Sequence, residues 1–436
     1  MDAETILQIR PGLTRYLREF DDCFGRARTR QHFATYVHGQ LSDLPRKSVE
    51  PMADAAGEPP RNLQQLLSLF RWDEEAVRSR LQQRVARCHH DSRAVGIIDE
   101  TSFVKKGDKT AGVQRQHCGA VGKSENCVVT VHLGYATPEF HTLVDGELYL
   151  PENSWHLDRE RCREAGIPDD VVYQPKWRIA LDQVKRAWAN GLRFAWLTFD
   201  EGYGGKPPFL RELDAMGQNY VAEIPVSFRV WTKCPAVIHR EHETHRRMGR
   251  PRKLPRLRVQ TLPQSEVRNL LQYSSLLRDV PWTHYRVKDG EKGPMVWEVK
   301  RIPVWLADES KLPTRAHHLL VARNPLHPEE VKFFLSNAPE ATSVEELLLV
   351  AFSRWKIERL FQDGKGELGL DHFEVRKYLC IKRHLIISCV SYLFLAEFRQ
   401  EHAGGEKGPH HSAASEGDVR VGASLVAQRP LLATAR

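Results

Sequence analysis

The sequence predicts an α/β core that is interrupted by a β-rich insertion and preceded by a helical N-terminal domain. Three observations predict it. Residues 94–98 and 194–199 are short, nearly continuous apolar runs, the pattern of strands buried on both faces. Each run is followed at once by an aspartate, Asp99 and Asp200. Residues 226–340 then change to strand-like stretches, and helical periodicity returns only at Ser343.

Residues 1–92 read as helical. Leu13, Tyr16, Leu17 and Phe20 recur at helical spacing, as do Phe33, Tyr36, Val37 and Leu41. Gly57 through Pro60 breaks the pattern, which resumes over 63–70 and 74–85. Such a segment fits a DNA-binding helical domain and a plain helical cap equally. Residues 93–225 form the first part of the core. After the strand at 94–98, residues 112–118 and 127–135 are expected as antiparallel partners, with Gly119 and Gly122 in the turn, and 141–150 adds further strand. A helix over 177–189 ends near Gly191, and the strand at 194–199 ends at Asp200. A helix over 208–216 and a strand over 220–224 complete this part.

Residues 226–340 are the basic, β-rich insertion. The stretch 239–258 is dense in Arg, Lys, His and Pro, and strands are expected at 283–287, 296–305, 318–322 and 331–335. Residues 341–400 return to the core. Thr342 with Glu345, and Ser343 with Glu346, both fit a capping box ahead of an apolar run, which predicts a helix over 343–363. Another helix is expected over 378–401. Residues 401–436 are rich in Gly, Ala, Ser and His without periodicity, and read as a disordered tail.

Lys and Arg outnumber Asp and Glu by 64 to 56, and the pI is about 9.0, an excess that favours a polyanionic partner. With 41% hydrophobic and 28% charged residues, the composition is that of a folded chain and sets aside the fibrous and disordered classes. Eight scattered cysteines form no C-x-x-C pair, which predicts reduced, buried thiols in a cytoplasmic protein. Cys88-His89-His90 has metal-ligating chemistry but no second cluster at zinc spacing. Met1-Asp2-Ala3-Glu4 is acidic where a signal peptide is basic, and the apolar run 385–396 is interrupted by polar residues and too short for a bilayer. No membrane partner is expected.

Arg354-Trp355-Lys356-Ile357-Glu358-Arg359-Leu360-Phe361-Gln362-Asp363-Gly364-Lys365 is the densest candidate for chemistry. In a helix, Arg354, Glu358 and Lys365 point to roughly one side. A carboxylate between two cations suits a metal ion gripping a phosphate, although an ion pair on a solvated helix has the same pattern. Gly364 and Gly366 leave the helix end open, and a stop at Asp363 would take Lys365 off that side. Asp99, Asp200 and Glu358 at one sheet edge would make an all-oxygen site, which suits Mg²⁺ or Mn²⁺. Two such ions can activate the attacking oxygen and stabilise the leaving one in phosphodiester displacement.

These residues resemble bacterial insertion-sequence transposases of the DDE type, most closely the insertion sequence 701 family. The motifs are Ile98-Asp99-Glu100-Thr101-Ser102-Phe103-Val104-Lys105-Lys106-Gly107, Gly112-Val113-Gln114-Arg115-Gln116 and Gly122-Lys123-Ser124-Glu125-Asn126-Cys127. They continue with Glu147-Leu148-Tyr149-Leu150-Pro151, Phe199-Asp200-Glu201-Gly202-Tyr203-Gly204, and the stretch from Arg354 through His372. The resemblance covers most of residues 30–400.

It implies a ribonuclease-H-like catalytic core and makes Asp99, Asp200 and Glu358 the triad for two Mg²⁺ ions, with Mn²⁺ substituting and Asp99 bridging both. Arg354 and Lys365 match positions that contact DNA phosphate, and the basic pair Lys105 and Lys106 of the first motif is expected to touch DNA as well. Related transposases carry a tyrosine three residues before that arginine, where this chain has Ala351. The implied reaction is cut-and-paste transposition of double-stranded DNA, from element ends into target DNA, by a cytoplasmic, nucleoid-associated homodimer. Some relatives form a hairpin and hold a flipped base on an aromatic. Trp282, Trp297 and Trp305 are candidates for that, or core residues. Arg246 through Lys253 resembles an AT-hook, whose Arg247, Arg250, Arg252 and Lys253 would enter an A·T minor groove. Two other readings compete. One is an inactive end-binding protein descended from a transposase. The other is a two-carboxylate glycosidase using Asp99 and Asp200, which leaves the basic insertion without a purpose.

Overall fold

The computed structural model describes residues 3–239, 254–290 and 293–402. Helix punctuation in the first ninety residues follows local chemistry. Helices α1 (Ala3–Arg18), α2 (Ala27–Gln40) and α3 (Val49–Ala56) come first, and α3 stops where Gly57 takes a left-handed φ of 68°. Pro60 opens α4 (Pro60–Ser68), where a missing N–H costs nothing. Asp73 caps α5 (Glu74–Cys88) by accepting from the Ala76 amide at 2.9 Å. Then follow β1 (Val95–Val104), β2 (Gln114–Cys118), β3 (Lys123–Ala136), β4 (His141–Leu148), α6 (Arg159–Glu164) and α7 (Lys176–Ala189). Beyond them lie β5 (Trp196–Phe199), α8 (Glu201–Gly204), α9 (Pro207–Met216) and β6 (Tyr220–Glu223). The segment expected to be β-rich supplies β7 (Arg229–Val230), β8 (Val237–Ile238), β9 (Arg256–Leu257) and β10 (Ser265–Glu266). It continues with α10 (Val267–Tyr273), α11 (Ser275–Arg278), β11 (Thr283–Gly290), β12 (Gly293–Ala307), β13 (Pro313–Arg323) and β14 (Val331–Ser336). Last come α12 (Val344–Ser353), α13 (Trp355–Leu368) and α14 (Tyr378–His402).

The chain divides into two units, Met1–Ala195 with Trp355–Arg436, and Trp196–Arg354. In the first, β1 and β2 flank β3 and β4 also pairs with β3, all antiparallel. Helices α1–α5 share a core with α14 through buried polar contacts as well as apolar ones. Tyr16 Oη donates to Val390 O at 2.8 Å, and Gln40 Nε2 donates to Ser388 Oγ at 2.8 Å. Arg84 grips Glu397 with two nitrogens, each at 2.8 Å. By length and composition α14 is apolar enough to cross a membrane, which corrects the expectation from the shorter run; 83% of its most apolar stretch is buried inside the protein. All eight cysteines are free thiols, six of them buried.

In the second unit β5 and β6 are parallel, joined through α8 and α9, and β6 continues antiparallel into β14, β13, β12 and β11. The ladder therefore runs without interruption from the strand at 220–223 into the segment expected to be an insertion. Asp214 of α9 anchors it, with His317 Nε2 at 3.1 Å and Asn337 Nδ2 at 2.7 Å.

Two departures from the sequence expectation bear on the candidate site. Strand β1 does not stop at Asp99, because all ten of its residues pair with β3, from Val95↔Ala136 to Val104↔Cys127. The helix expected over 343–363 is two helices. Ser343 Oγ caps the first by accepting from Glu346 N at 3.1 Å. Ser353 Oγ donates to Val350 O at 2.7 Å, competing with the helix ladder one residue before the break at Arg354. The second helix passes Gly364 and Gly366 and ends where Gly369 takes a φ of 66°. Gly364 stays helical with Leu370 against it, where an added methyl would lie 3.3 Å from Cδ2.

Buried His384 makes the first unit sensitive to acid. Its Nε2 lies 3.0 Å from Leu370 O and its Nδ1 2.9 Å from Tyr36 Oη, so a neutral ring satisfies both partners. Burial pulls its pKa down to about 4 from an ordinary 6.5, and does the same to His132. The unfolded chain therefore binds these protons first. Stability from both is complete above pH 6.5 and is lost as pH falls toward 4, roughly 1–2 kcal/mol each by pH 5. Urea midpoints should drop between pH 7.5 and pH 5; equal midpoints would show that the two rings are not held neutral.

Candidate active site

In the first unit Asp99 and His132 are direct cross-strand partners on β1 and β3, so their side chains share one face of the sheet. Helix α13 lies on that face. Its Ile357 and Leu360 cover Gly134, the partner of Ile97, where an added methyl would meet them at 3.2 and 2.9 Å. Its Phe361 ring stands edge-on to His132, with centroids 5.3 Å apart. Further along, Lys365 Nζ reaches Ser102 O at 3.4 Å and lies 5.4 Å from the Phe103 ring centroid. The helix thus follows β1 from Ile97 to Ser102, a span that contains Asp99. Glu358 sits on α13 between these contacts and is exposed, and Asp99 is half-buried. Asp99 Oδ1 accepts from the Glu100 amide at 2.7 Å.

His132 was not found by motif reading, because strand register, which sets it opposite Asp99, is invisible in one sequence. Its Nε2 lies 2.7 Å from Thr130 Oγ1, and burial keeps it neutral, so it sets no cation beneath Asp99. The other face of β1 belongs to α7. There Lys176 Nζ lies 2.5 Å from Glu100 Oε1, and Gln183 Nε2 donates to Val131 O at 2.8 Å.

The expected basic contacts divide by role. Lys365 keeps its place on the α13 face, and burial lowers its pKa. Lys105 Nζ donates to Phe373 O at 2.6 Å and lies 3.4 Å from that ring's centroid, and burial pulls its pKa to about 8. It therefore anchors the loop after β1, and Lys106 beside it is exposed. Asn126 pins the same loop by donating to the carbonyls of Lys105 at 2.7 Å and Gly107 at 2.8 Å.

In the second unit Asp200 caps α8, its Oδ1 accepting from the Gly202 and Tyr203 amides at 2.9 and 3.3 Å. Gly204 of the same motif touches β6 so closely that an added methyl would lie 1.9 Å from Glu223 O. Glu223 in turn holds Lys332 at 2.7 Å and Arg354 Nε at 3.7 Å. Arg354 lies outside α13, so it does not share a helix with Glu358 as the spacing predicts. Among the aromatic candidates, Trp297 is core, packed on Phe352 with centroids 4.9 Å apart. Trp282 lies between Lys300 and Arg323, 4.7 and 4.2 Å from its ring centroid. Trp305 is half-buried and bridges Trp231. The AT-hook-like residues Arg247, Arg250, Arg252 and Lys253, and residues 403–436 of the expected tail, lie outside the described residues.

Carboxylate oxygens are the right donors for a hard divalent ion, and Asp99, Asp200 and Glu358 fit it in that chemical sense. Among the described residues, no three His, Cys, Asp or Glu side chains gather closely enough to hold a metal ion.

Strand β1 thus carries a half-buried carboxylate on the face along which α13 brings a further carboxylate and a lysine. Residues 19–294 match the family described as DDE superfamily endonuclease; this is more than half of the chain, and the chain belongs to that family. The matched region includes Asp99 and Asp200 and ends before Glu358. More particularly, the chain is similar to "Probable transposase for insertion sequence element IS701" from Microchaete diplosiphon, with 32% identity over 215 residues. Those residues are 48% of this chain and 52% of that protein, so the chain spans about half the length of the curated relative it matches.

Proposed function

We propose that this protein is a DNA transposase that cleaves strands at element ends and transfers them into target DNA, by a cut-and-paste route, on a ribonuclease-H-like core. The observation that carries the reading is the passage of α13, with Glu358 and Lys365, along the face of β1 that bears Asp99, in a chain of the DDE superfamily endonucleases. Asp99, Asp200 and Glu358 would hold two Mg²⁺ ions, with Mn²⁺ substituting, and bound ions would activate the attacking oxygen and stabilise the leaving one. The chain's own groups do the rest. Lys365, fixed on Ser102 O, sets a positive charge on this face for a phosphate oxygen. Exposed Lys106 adds another on the adjoining loop. Double-stranded DNA at the ends and the target is the substrate, a homodimer pairs the two ends, and the action is cytoplasmic at the nucleoid.

The test is incubation with a DNA fragment carrying the element's own ends, with Mg²⁺ or Mn²⁺ and with chelator. Metal-dependent cutting at the ends supports the reading. Specific end binding without cutting in either metal overturns it in favour of an inactive end-binding protein.

A further inference from the structure

A second cationic site lies in the first unit, formed in part by the loop that follows β1. It is a cavity of about 510 Å³ lined by Asp108, Lys109, Arg161, Glu164, Arg376 and Lys377 over the indole of Trp155. Its walls are tied together. Trp155 is fully buried, and its indole N–H donates to Val113 O at 2.8 Å. The Arg161 guanidinium covers that ring, 4.0 Å from its centroid, and donates to Ser154 O at 2.6 Å and Asp108 O at 2.8 Å. The Ala111 amide donates to Arg376 O at 2.9 Å, and the Tyr378 amide to Ala165 O at 3.0 Å. Three chain segments are thus fixed around the opening before any ligand arrives.

Charge then says what the opening takes. Four cations face two carboxylates, and one of those, Glu164, lies 3.5 Å from exposed Lys109. Arg161 spends its donors on neutral carbonyls, so its charge is not cancelled by them. Arg376 and Lys377 are exposed at the rim. Because the indole is buried beneath Arg161, the cavity offers no ring on which a base can stack.

We propose that this cavity binds the sugar–phosphate backbone of duplex DNA, taking two adjacent phosphates through Lys109 and Arg376 without reading bases. The inference rests on the transposase reading and extends its DNA path beyond the catalytic carboxylates. Strand β1 alone carries the chain roughly 17 Å from Asp99 to Val104, before the loop that reaches Lys109. The cavity therefore belongs to DNA flanking the cut rather than to the reacting phosphate.

Full-length protein titrated with labelled duplex from 50 to 200 mM salt tests it. One duplex carries the element end, and another of equal length has an unrelated sequence. Lys109→Ala/Arg376→Ala should weaken binding to both duplexes alike, on the order of tenfold at low salt, and reduce the slope of log affinity against log salt by about 2. Lys109→Arg/Arg376→Lys should restore both, which separates lost charge from lost fold. Arg61→Ala, an exposed cation on α4, should change neither by as much. Wild-type affinity and slope in the double alanine variant would overturn the proposal while leaving metal-dependent cutting, and so the functional reading, intact. So would a loss confined to the element-end duplex, or an equal loss in Arg61→Ala. A wild-type protein that binds neither duplex would overturn both.

Discussion

Glu358→Gln is expected to lower metal-dependent cutting at the element ends roughly a thousandfold, about 4 kcal/mol of lost transition-state stabilisation. The substitution keeps side-chain shape and removes only the charge that would hold a divalent ion. Glu358 is exposed, and α13 is seated by its buried neighbours Ile357 and Leu360, so the fold has little to lose. Thermal midpoint and duplex affinity should stay near wild type, since exposed substitutions of this kind stay within about 0.5 kcal/mol. Gel-resolved cleavage of an end-bearing fragment gives the answer. Cutting that survives at wild-type rate would mean that the third acid is another residue, and Glu358 would be only a solvated helix position.

Asp145→Ala is expected to be the most damaging single change to stability. Asp145 is fully buried on β4 and holds two arginines, with Arg78 Nε at 3.1 Å and an Arg186 nitrogen at 3.0 Å. Arg78 is itself only 2% exposed. Burial pulls the Arg78 pKa down, and the carboxylates of Asp145, Glu147 and Glu75 outweigh that pull and raise it. Removing Asp145 leaves buried guanidinium charge under-compensated, which costs about 3–5 kcal/mol. Urea unfolding followed by circular dichroism should show that loss, with a fall in melting temperature of roughly 3–6 °C. A loss below about 1 kcal/mol would show that Glu75 and Glu147 carry the cluster unaided. Glu147 belongs to one of the family motifs, and its place beside Arg78 and Arg186, at 3.7 and 3.4 Å, gives that motif a structural use.

Much of the fold was legible because local rules settle it. Gly57 and Pro60 end and start helices by backbone geometry alone. The apolar runs before Asp99 and Asp200 read as strands because burial on both faces demands them. Gly204, part of a motif by sequence, stands revealed as a contact with the Glu223 carbonyl that no side chain permits. The helix break at Arg354 was not legible. Apolar periodicity runs straight through it, and only the side-chain bond from Ser353 to Val350 marks the place.

The sequence by itself determined which residue types are present for chemistry and how the segments are punctuated, since propensity, capping and apolar periodicity act within a few residues of the chain. Tertiary structure decided what those residues face. Pairing of β1 with β3 carried the strand past Asp99 and set neutral His132 opposite it, because ladder register depends on a partner some thirty residues away. The same long-range packing turned Lys105 into an anchor on Phe373, left Lys106 free for solvent, and joined three distant segments around the Trp155 cavity. Contacts between residues far apart in the chain fix these positions, and no single sequence window contains both partners.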